Sequence, residues 1–431
     1  LLVELGGTNA NWKRRLKLEL AAEVGAADLA LEIDKRLLAL ATSRARVSWR
    51  KRPELVADLT THRNMIVDRL AQMDAGLGFA RLVAWFDLFA GLRERVTDPR
   101  EELAELYLAA APALASLASR VPDPAIPVLF EALQTRISDW SVWIGRAAPL
   151  FDEALATALL TTLTEGRAAP TGRLALVVRR LADRAGDMDA WVASFPKKER
   201  GQTRIGSEIA TRLASHGRAE EARSALEAAR PQAPAPSRLS GRLQALPPQE
   251  RSPLWDDAEI AVLDAEGRSE EAQAARWAAF ERTLSNDHLN AFVARLPDFE
   301  DVEAIDRAYG FAANWPDPTQ AIRFLIDRMA LREAAQTIVA RREDLRIGFE
   351  ESSLWSARLE ARYPRASLVL VRARALALAH AGAANSDDVR SLSAEATRLS
   401  DLLGSETELE THAEFIDQID AIAIARRKSW R

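Results

Sequence analysis

The chain has 431 residues, no cysteine and a formal net charge of −5. The lack of cysteine excludes a disulfide framework, a thiolate nucleophile and a cysteine-ligated zinc site, and it favours a reducing compartment such as the cytoplasm. The near-balanced charge gives no whole-chain reason to expect nucleic acid or an anionic membrane as a partner. With 28% charged and only 6% aromatic residues, the composition is typical of long amphipathic helices rather than of sheet.

A glycine turn, LGGTNA at Leu5 to Ala10, is similar to the phosphate-binding turn of sugar kinases. In that turn a pair of glycines lets backbone N–H groups approach a nucleotide phosphate, and strands flank the turn. Here the sequence continues directly into WKRRLKLELAAE, which has a helical pattern. We therefore interpret Thr8 or Asn9 as the cap of a helix, and we predict no nucleotide or other cofactor.

The first 52 residues are basic, with 11 Lys or Arg against 6 Asp or Glu, a local net of +5 that leaves −10 for the rest of the chain. Basic side chains beside a tryptophan can bind phosphate backbone and stack on single-stranded bases. Such runs also occur as solvated helix faces that pair with acidic neighbours, here the acidic remainder of the same chain. Both interpretations stay open. The candidate residues for contact with a partner or a nucleic acid are Lys13, Arg15, Trp49, Arg50, Lys51 and Arg52.

Helix starts are marked by a capping residue followed by proline, as at Asp98 and Pro99, where Glu101 completes a capping box. Apolar residues continue at helical spacing over residues 103–117, which predicts an amphipathic helix there. Three further starts are predicted at Asp123, Ser252 and Asp317. We find no run of alternating β-branched and aromatic residues, and no apolar run long enough to cross a bilayer. The sequence therefore predicts an all-α protein with no sheet and no membrane partner.

Residues 231–253 interrupt the helical pattern, because six prolines fall among Gln, Ala and Ser in this segment. The segment is either an interdomain linker or a long loop that crosses one surface of a single array. A gentler boundary is predicted near residue 120. The predicted organisation is an N-terminal helical domain with the basic segment at 1–120, helical hairpins at 121–230, the Pro-rich linker or loop at 231–253, and a helical-repeat domain at 254–431.

An internal repeat flanks this break: LASHGRAEEARSAL at Leu213 to Leu226 returns 50 residues later as LDAEGRSEEAQAAR at Leu263 to Arg276. In each copy a Gly-Arg turn follows four residues after a leucine, and an alanine five residues further on begins the next apolar stripe. This spacing resembles the tetratricopeptide repeat, a helical hairpin whose stacking creates a concave face. A weaker third copy includes Leu331 to Val339. We therefore predict an α-α superhelix, a solenoid of helical hairpins.

A broader resemblance spans most of the chain. It rests on four passages, Ser48 to Leu70, Gly267 to Ala272, Arg362 to Ala375 and Ala425 to Trp430. These are similar to an uncharacterised bacterial all-helical family that is catalogued only as a domain of unknown function. Some relatives are associated with a SWIM-type zinc finger, but this chain has no cysteine, so that metal site is not carried over. The resemblance implies a helical fold and no particular activity.

The residue types that carry chemistry form no catalytic or metal-binding pattern. The five histidines are scattered without an H-E-x-x-H motif, and neither G-x-S-x-G nor a Walker-type phosphate loop occurs. We therefore predict no catalytic residue and no metal. The expected function is a non-enzymatic scaffold that binds a partner protein on a helical-repeat surface. The alternative is a nucleic-acid-associated protein that acts through the basic N-terminal helices, and an enzyme of unfamiliar type has the least support.

Overall fold

The computed structural model describes residues 10–231, 252–345, 348–383, 386–404 and 409–429, and across these ranges every regular element is helical. The prediction of an all-helical chain is confirmed. Strand-like pairing within these ranges is one isolated parallel bridge between Val47 and Val96. The α-helices, in chain order, are α1 (Ala10–Val24), α2 (Ala26–Thr42), α3 (Arg52–Asn64), α4 (Ala71–Met73), α5 (Ala75–Arg95), α6 (Glu102–Leu108), α7 (Ala111–Arg120), α8 (Pro122–Thr135), α9 (Ile137–Ala147), α10 (Glu153–Thr164), α11 (Gly172–Ala185), α12 (Met188–Ala193), α13 (Thr203–Ser215), α14 (Ala219–Ala228), α15 (Pro253–Ala265), α16 (Ser269–Thr283), α17 (Asn286–Val293), α18 (Glu300–Ala313), α19 (Pro318–Asp327), α20 (Leu331–Ala340), α21 (Phe349–Leu359), α22 (Pro364–Leu378), α23 (Asp387–Leu403) and α24 (His412–Ser429).

Two compact units divide the chain, Leu1–Gln202 and Thr203–Arg431. In the second unit α13 packs against both α14 and α15, so the helices on either side of the Pro-rich segment belong to one unit. Residues 232–251 of that segment lie outside the described residues. The domain limits predicted from the sequence at residues 120, 230 and 253 stay predictions.

An aromatic cluster forms much of the core of the first unit. Trp85 of α5 stacks on Tyr107 of α6 with ring centroids 4.0 Å apart, and Phe86, Trp140 and Trp143 pack beside them. The Tyr107 hydroxyl donates to the Trp85 carbonyl oxygen at 3.1 Å, and burial raises the pKa of this phenol. Burying a large ring contributes about 1.5–3 kcal/mol, so these contacts hold α5, α6 and α9 together.

Most large aromatic side chains of the second unit also lie between helices. Trp255, Phe280, Phe324 and Trp355 are each at most 5% exposed. Phe299 departs from this pattern, because it is 86% exposed and its backbone φ is 75°. The Phe299 ring therefore faces solvent.

Two of the four helix starts predicted from the sequence are confirmed. Helix α15 begins at Pro253 directly after Ser252. Helix α19 begins at Pro318 after Asp317, whose carboxylate accepts a hydrogen bond from the Thr319 N–H at 2.9 Å. In both, proline occupies the first turn, where its missing N–H has no intrahelical partner to lose.

The start predicted at Asp98 and Pro99 is wrong in position. Helix α6 begins at Glu102, after Glu101 with a left-handed φ of 55°. The Asp98 carboxylate still caps the helix, because it accepts from the N–H groups of Glu102 and Leu103 at 3.1 and 2.7 Å. Asp98 therefore reaches the helix from the far side of a turn, and Glu101 is not the third residue of a capping box.

The apolar pattern over residues 103–117 is divided between α6 and α7. The first of these helices ends at Leu108, and the second begins at Ala111. Pro112 accounts for the break, because its ring clashes with the carbonyl four residues earlier and it has no N–H to donate there. The start predicted at Asp123 is also shifted, since α8 begins at Pro122 and Asp123 lies in its first turn.

The prediction that no apolar stretch is long enough to cross a bilayer is wrong for two described helical stretches, Ala75–Arg95 and Pro364–Ala383, which have the length and apolar composition for it. Half of each apolar window is buried inside the protein. Core helices of soluble proteins meet the same criteria of length and hydropathy, and α5 carries the aromatic cluster of the first unit. Membrane insertion is therefore only weakly indicated by these helices.

One turn geometry recurs in the second unit. The N–H groups of Gly217 and Arg218 donate back to the carbonyls of Ala214 and Leu213, both at 3.0 Å, and the φ of Gly217 is 74°. This pair of bonds is a Schellman helix end, in which a left-handed residue satisfies the last carbonyls of the helix.

The same bonds close the second copy at Gly267 and a third turn at Met329, whose φ values are 73° and 59°. Five residues after the turn residue, Ala222, Ala272 and Ala334 are completely buried. These small side chains leave room for the helix before the turn to pack closely on the helix after it. Three helix pairs are built in this way, α13 with α14, α15 with α16 and α19 with α20.

Candidate functional site

The segment that carries Trp49 is held against the end of α5. The Val47 N–H donates to the Arg95 carbonyl at 2.9 Å, and the Thr97 N–H donates to the Val47 carbonyl at 3.0 Å. The Arg95 guanidinium also donates to the Leu40 carbonyl at 2.9 Å. The segment between α2 and α3 is therefore positioned by residues about fifty positions further along the chain.

Three of the predicted contact residues, Trp49, Arg50 and Lys51, form what we call the Trp49 turn. Trp49 is 58% exposed, and the Arg50 Cζ lies 5.1 Å from its ring centroid, a distance typical of a cation–π contact. Lys51 is exposed and directly precedes α3. The turn presents one aromatic ring and two positive charges to solvent.

Arg52, which follows the Trp49 turn, lies inside the protein. Only 6% of this residue is exposed. Its Nε and Nη2 donate to the two carboxylate oxygens of Glu102 at 3.0 and 2.7 Å, and its Nη1 lies 3.4 Å from the Asp98 carboxylate. Arg52 therefore joins α3 to the start of α6, and its charge is neutralised within the chain.

The remaining two predicted residues, Lys13 and Arg15, are exposed on α1. Arg14 between them lies 3.4 Å from the carboxylate of Asp58 on α3, so this basic helix is tied to the unit through an ion pair. In the part of the chain that the structure describes, no hydrogen bond, ion pair or ring contact joins Lys13 or Arg15 to the Trp49 turn. The six predicted contact residues thus lie in three places: on the surface of α1, in the Trp49 turn and, for Arg52, in the interior of the protein.

A surface groove runs along the first helices of the two repeat copies, α13 and α15. We call this feature the repeat groove, and its volume is about 700 Å³. The size lies in the range of ligand sites in proteins. Its lining includes Arg204, Glu208, Thr211 and Arg212 of α13 and Leu254 and Asp257 of α15.

The amphipathic pattern of α13 builds this groove. Ile205, Ile209 and Leu213 recur every four residues and are at most 5% exposed, which leaves the polar face of the helix on the groove side. Ser207 lines the groove at 2% exposure, and its hydroxyl has no hydrogen-bond partner among the described residues. Leu254 is half exposed. The groove therefore offers a buried hydroxyl and an apolar side chain among charged groups.

A carboxylate between two arginines connects the two repeat copies. Arg223 of α14 donates from Nε and Nη2 to the two oxygens of Glu266, at 2.8 and 2.5 Å, and Arg268 lies 3.0 Å from the same carboxylate. The Arg223 hydrogen bonds, with a contribution from Arg268, outweigh the opposing effect of burial and lower the pKa of Glu266 to about 2. Glu266 thus stays ionised and fixes α14 against the turn after α15.

His288 lies beside Asp257 in an arrangement that resembles a hydrolase triad. Its Nε2 is 2.7 Å from the Asp257 carboxylate, and its Nδ1 is 3.2 Å from the Thr283 hydroxyl oxygen. The Thr283 hydroxyl donates to the Ala279 carbonyl at 2.8 Å, so its proton is already engaged. A base-activated nucleophile gives that proton to the imidazole. We therefore assign no catalytic role to this group.

Several sequence features fall outside the described residues. They are the glycine turn over residues 5–9, the centre of the Pro-rich segment and the side chains of residues 426–431. Within the described ranges, no group of three His, Asp or Glu side chains is arranged to hold a metal ion.

Paired helices, a shared turn geometry and a polar groove characterise the second unit of this all-helical protein. The chain belongs to the family of unknown function DUF6880, whose model matches residues 1–169 and residues 130–430. The resemblance to an uncharacterised helical family is thereby confirmed at the level of the family. A search of curated proteins gives no match.

Proposed function

We propose that this protein is a non-enzymatic scaffold whose repeat groove receives a segment of a partner protein. In this proposal the helix pairs of the second unit are tetratricopeptide-like hairpins that stack into an α-α superhelix. The observation that carries the proposal is the position of the groove along α13 and α15, the first helices of two consecutive copies. Stacked helix pairs use such a face to bind extended segments.

The lining of the groove supports a peptide ligand of mixed character. Arg204 and Glu208 place both charges along one side of the groove, and the half-exposed Leu254 gives an apolar contact. The hydroxyl of Ser207 has no partner in the described ranges, so a peptide backbone group would complete its hydrogen bonding. We therefore expect a polar, extended partner segment with one apolar side chain near Leu254.

Site-specific photo-crosslinking tests this proposal in the cells that make the protein. A photoreactive amino acid replaces Thr211, an exposed groove residue, and the control replaces Glu227, which is exposed on α14. We expect one discrete protein adduct at Thr211, mapped to a single segment of that protein, and none at Glu227. No adduct at Thr211, or the same adducts at both positions, would contradict the proposal.

A second candidate function is nucleic-acid binding through the N-terminal basic residues. The observation in its favour is the Trp49 turn, with an exposed ring, the Arg50 guanidinium beside it and Lys51 next to both. Base stacking on such a ring is sequence-tolerant, and the cations contact phosphates. Arg52 is left out of this surface because Glu102 already occupies its guanidinium.

The test is a quadruple charge reversal of Lys13, Arg15, Arg50 and Lys51 to glutamate. Single-stranded RNA or DNA should bind the wild type in a salt-sensitive manner, with a slope of about −0.7 in log K against log salt for each phosphate contact. The variant should not bind. If the wild type does not bind at low salt, the nucleic-acid proposal is removed and the scaffold proposal is unaffected.

The cytoplasm is the compartment that we propose for this protein, and neither a cofactor nor a metal enters the mechanism. The bacterial source and the association of relatives with SWIM-type zinc fingers stay predictions from the sequence.

A further inference from the structure

A second cavity in the C-terminal unit is lined by arginine. It lies between α22, the turn at Arg342–Asp344 and the start of α24, and its volume is about 830 Å³. Volumes of this order accommodate a small molecule. Its charged lining includes Arg342, Arg372 and Arg374 together with Glu343 and Glu410.

Arg372 is the most deeply buried of these cations, with 3% of the residue exposed. Its Nη1 donates to the Glu410 backbone carbonyl at 2.7 Å, and the Glu410 carboxylate lies 3.9 Å from the same nitrogen. The Phe415 ring centroid is 5.3 Å from its Cζ. The other two nitrogens, Nε and Nη2, are buried and have no hydrogen-bond partner among the residues that the structure describes.

The two unpartnered nitrogens form one edge of the guanidinium, and this edge matches the two oxygens of a carboxylate or phosphate. In three other arginines the same edge is occupied. Arg52 donates from Nε and Nη2 to Glu102, Arg81 to Asp34 and Arg223 to Glu266, at 2.5 to 3.1 Å. Arg372 is buried more deeply than Arg52, yet no carboxylate of the described residues occupies its edge.

We propose that this cavity binds a small molecule through an oxyanion, a carboxylate or phosphate group, that accepts hydrogen bonds from Arg372 Nε and Nη2. Arg342 and Arg374 line the same cavity and favour a negative ligand, while Glu343 and Glu410 limit the excess of positive charge. Leu376 and Leu409 give the apolar contact for the body of the molecule.

The burial of Arg372 is consistent with its proposed role as the donor to the anion. It lowers the pKa of Arg372, and the Glu410 carboxylate opposes that effect. An arginine begins from a pKa above 12, so the guanidinium keeps its charge at neutral pH and remains a double donor. The site is separate from the repeat groove, and its test does not depend on the scaffold proposal.

The experiment measures anion binding to the whole 431-residue chain by calorimetry and thermal unfolding. Sodium phosphate and sodium citrate are the two probes, and sodium chloride keeps the ionic strength constant at about 0.15 M. The wild type should bind at least one probe with saturable, one-to-one heat and a rise in Tm. Preference for phosphate or for citrate assigns the head group of the natural ligand.

Two variants locate the bound anion. Arg372→Gln removes the unpartnered edge, and Ala373→Phe fills the cavity while Arg372 stays in place. Each should weaken the binding at least about tenfold, because a charge-assisted bidentate contact is lost or blocked. The control Arg390→Gln removes an exposed arginine on α23 that pairs with Asp387, and it should bind as the wild type does.

The proposal is overturned if the wild type binds neither phosphate nor citrate saturably, or if both cavity variants bind them as the wild type does. Should Arg372→Gln fail to fold, as judged by circular dichroism, Ala373→Phe decides the question alone. Equal weakening by Arg390→Gln would also contradict the proposal, because it would indicate unspecific binding to surface arginines.

Discussion

Buried charges in the first unit meet opposite charges on neighbouring helices. Asp58 of α3 is 3% exposed, and it accepts a hydrogen bond from Arg36 Nε at 2.7 Å, with Arg14 at 3.4 Å. Next to it, burial lowers the pKa of His62, against the raising effect of its hydrogen bond to the Asp58 carbonyl. A buried charge that loses its partner is strongly unfavourable, so these pairs determine which helices pack together.

The pair between Arg52 and Glu102 gives a prediction at this scale. Glu102→Ala leaves the buried guanidinium with Asp98 alone, so we expect the free energy of unfolding to fall by about 1–3 kcal/mol. Glu32→Ala, which removes the exposed pair with Lys35, should cost less than about 0.5 kcal/mol. Urea unfolding followed by tryptophan fluorescence measures both. Equal losses would show that Arg52 is not held as we describe.

Glu266 gives a prediction about pH. Its pKa is about 2 in the folded protein, below the value of about 4.3 expected in the unfolded chain. Its contribution to stability is therefore complete above the unfolded pKa and is lost as the pH falls towards 2. Between about pH 5 and pH 2, the Tm of Glu266→Gln should fall less steeply than that of the wild type. Glu270→Gln, at an exposed site on α16, should keep the wild-type profile, and a parallel profile for Glu266→Gln would contradict the assignment.

At the scale of the element, the helix pairs depend on a left-handed residue at each turn. Gly217 and Gly267 adopt this conformation without a Cβ, whereas Met329 adopts it with a side chain that is 68% exposed. A non-glycine residue there has unfavourable sterics that no contact in the core explains. The third turn is therefore the one in which the sequence departs from the local preference of the backbone.

Substitutions at these turns should change the free energy of unfolding in opposite directions. Gly267→Ala should destabilise by about 1 kcal/mol through backbone strain alone, because no atom lies within 4 Å of the added Cβ. Met329→Gly should stabilise by up to about 1 kcal/mol. The matched control is Gly310→Ala in the interior of α18, also without a neighbour, which should stabilise by about 0.5–1 kcal/mol. Thermal unfolding distinguishes stabilisation from destabilisation. Destabilisation by Met329→Gly would show that Met329 is not strained at this turn.

Helix type could be predicted from the sequence, whereas the helix start at Asp98 could not be placed. The local sequence contains the capping residue, Asp98. However, Arg52 from another helix contacts both Asp98 and Glu102, the two residues on either side of the turn that precedes the helix. Arg52 is 50 residues away in the chain from Glu102, so a local pattern cannot include it. Proline follows directly at Asp98 as it does at Ser252 and Asp317, so the local pattern alone does not separate these starts. At Ser252 and Asp317 the helix begins at the proline, and the prediction is correct.

At the scale of the whole molecule, sites depend on residues that are distant in sequence. The repeat predicted the turns at Gly217 and Gly267, but the groove appears only when α13 and α15 pack across the Pro-rich segment. The arginine-lined cavity needs residues 342 to 418 from several helices. Its one sequence signal is Arg372 within an apolar helical run, in the passage Arg362 to Ala375 that also carries the family resemblance.

The division at Gln202 and Thr203 predicts how the chain can be cut. A fragment of residues 203–431 should keep a cooperative thermal transition, because it contains the helix pairs and their core. A fragment of residues 254–431 loses α13 and α14, which pack on α15, and should unfold at a lower temperature. Circular dichroism against temperature compares them. Equal transitions would favour the domain limit at residue 253 that the Pro-rich segment suggests.

The central claim is that the repeat groove binds a partner protein. Affinity purification from the native cells, with the Thr211→Arg variant and an exposed control, Glu227→Arg, tests it most directly. We predict that the wild type and the control each recover the same stoichiometric partner, and that Thr211→Arg, which blocks the groove, recovers none. Recovery of the wild type as a bare monomer, or an unchanged partner with Thr211→Arg, would contradict the account.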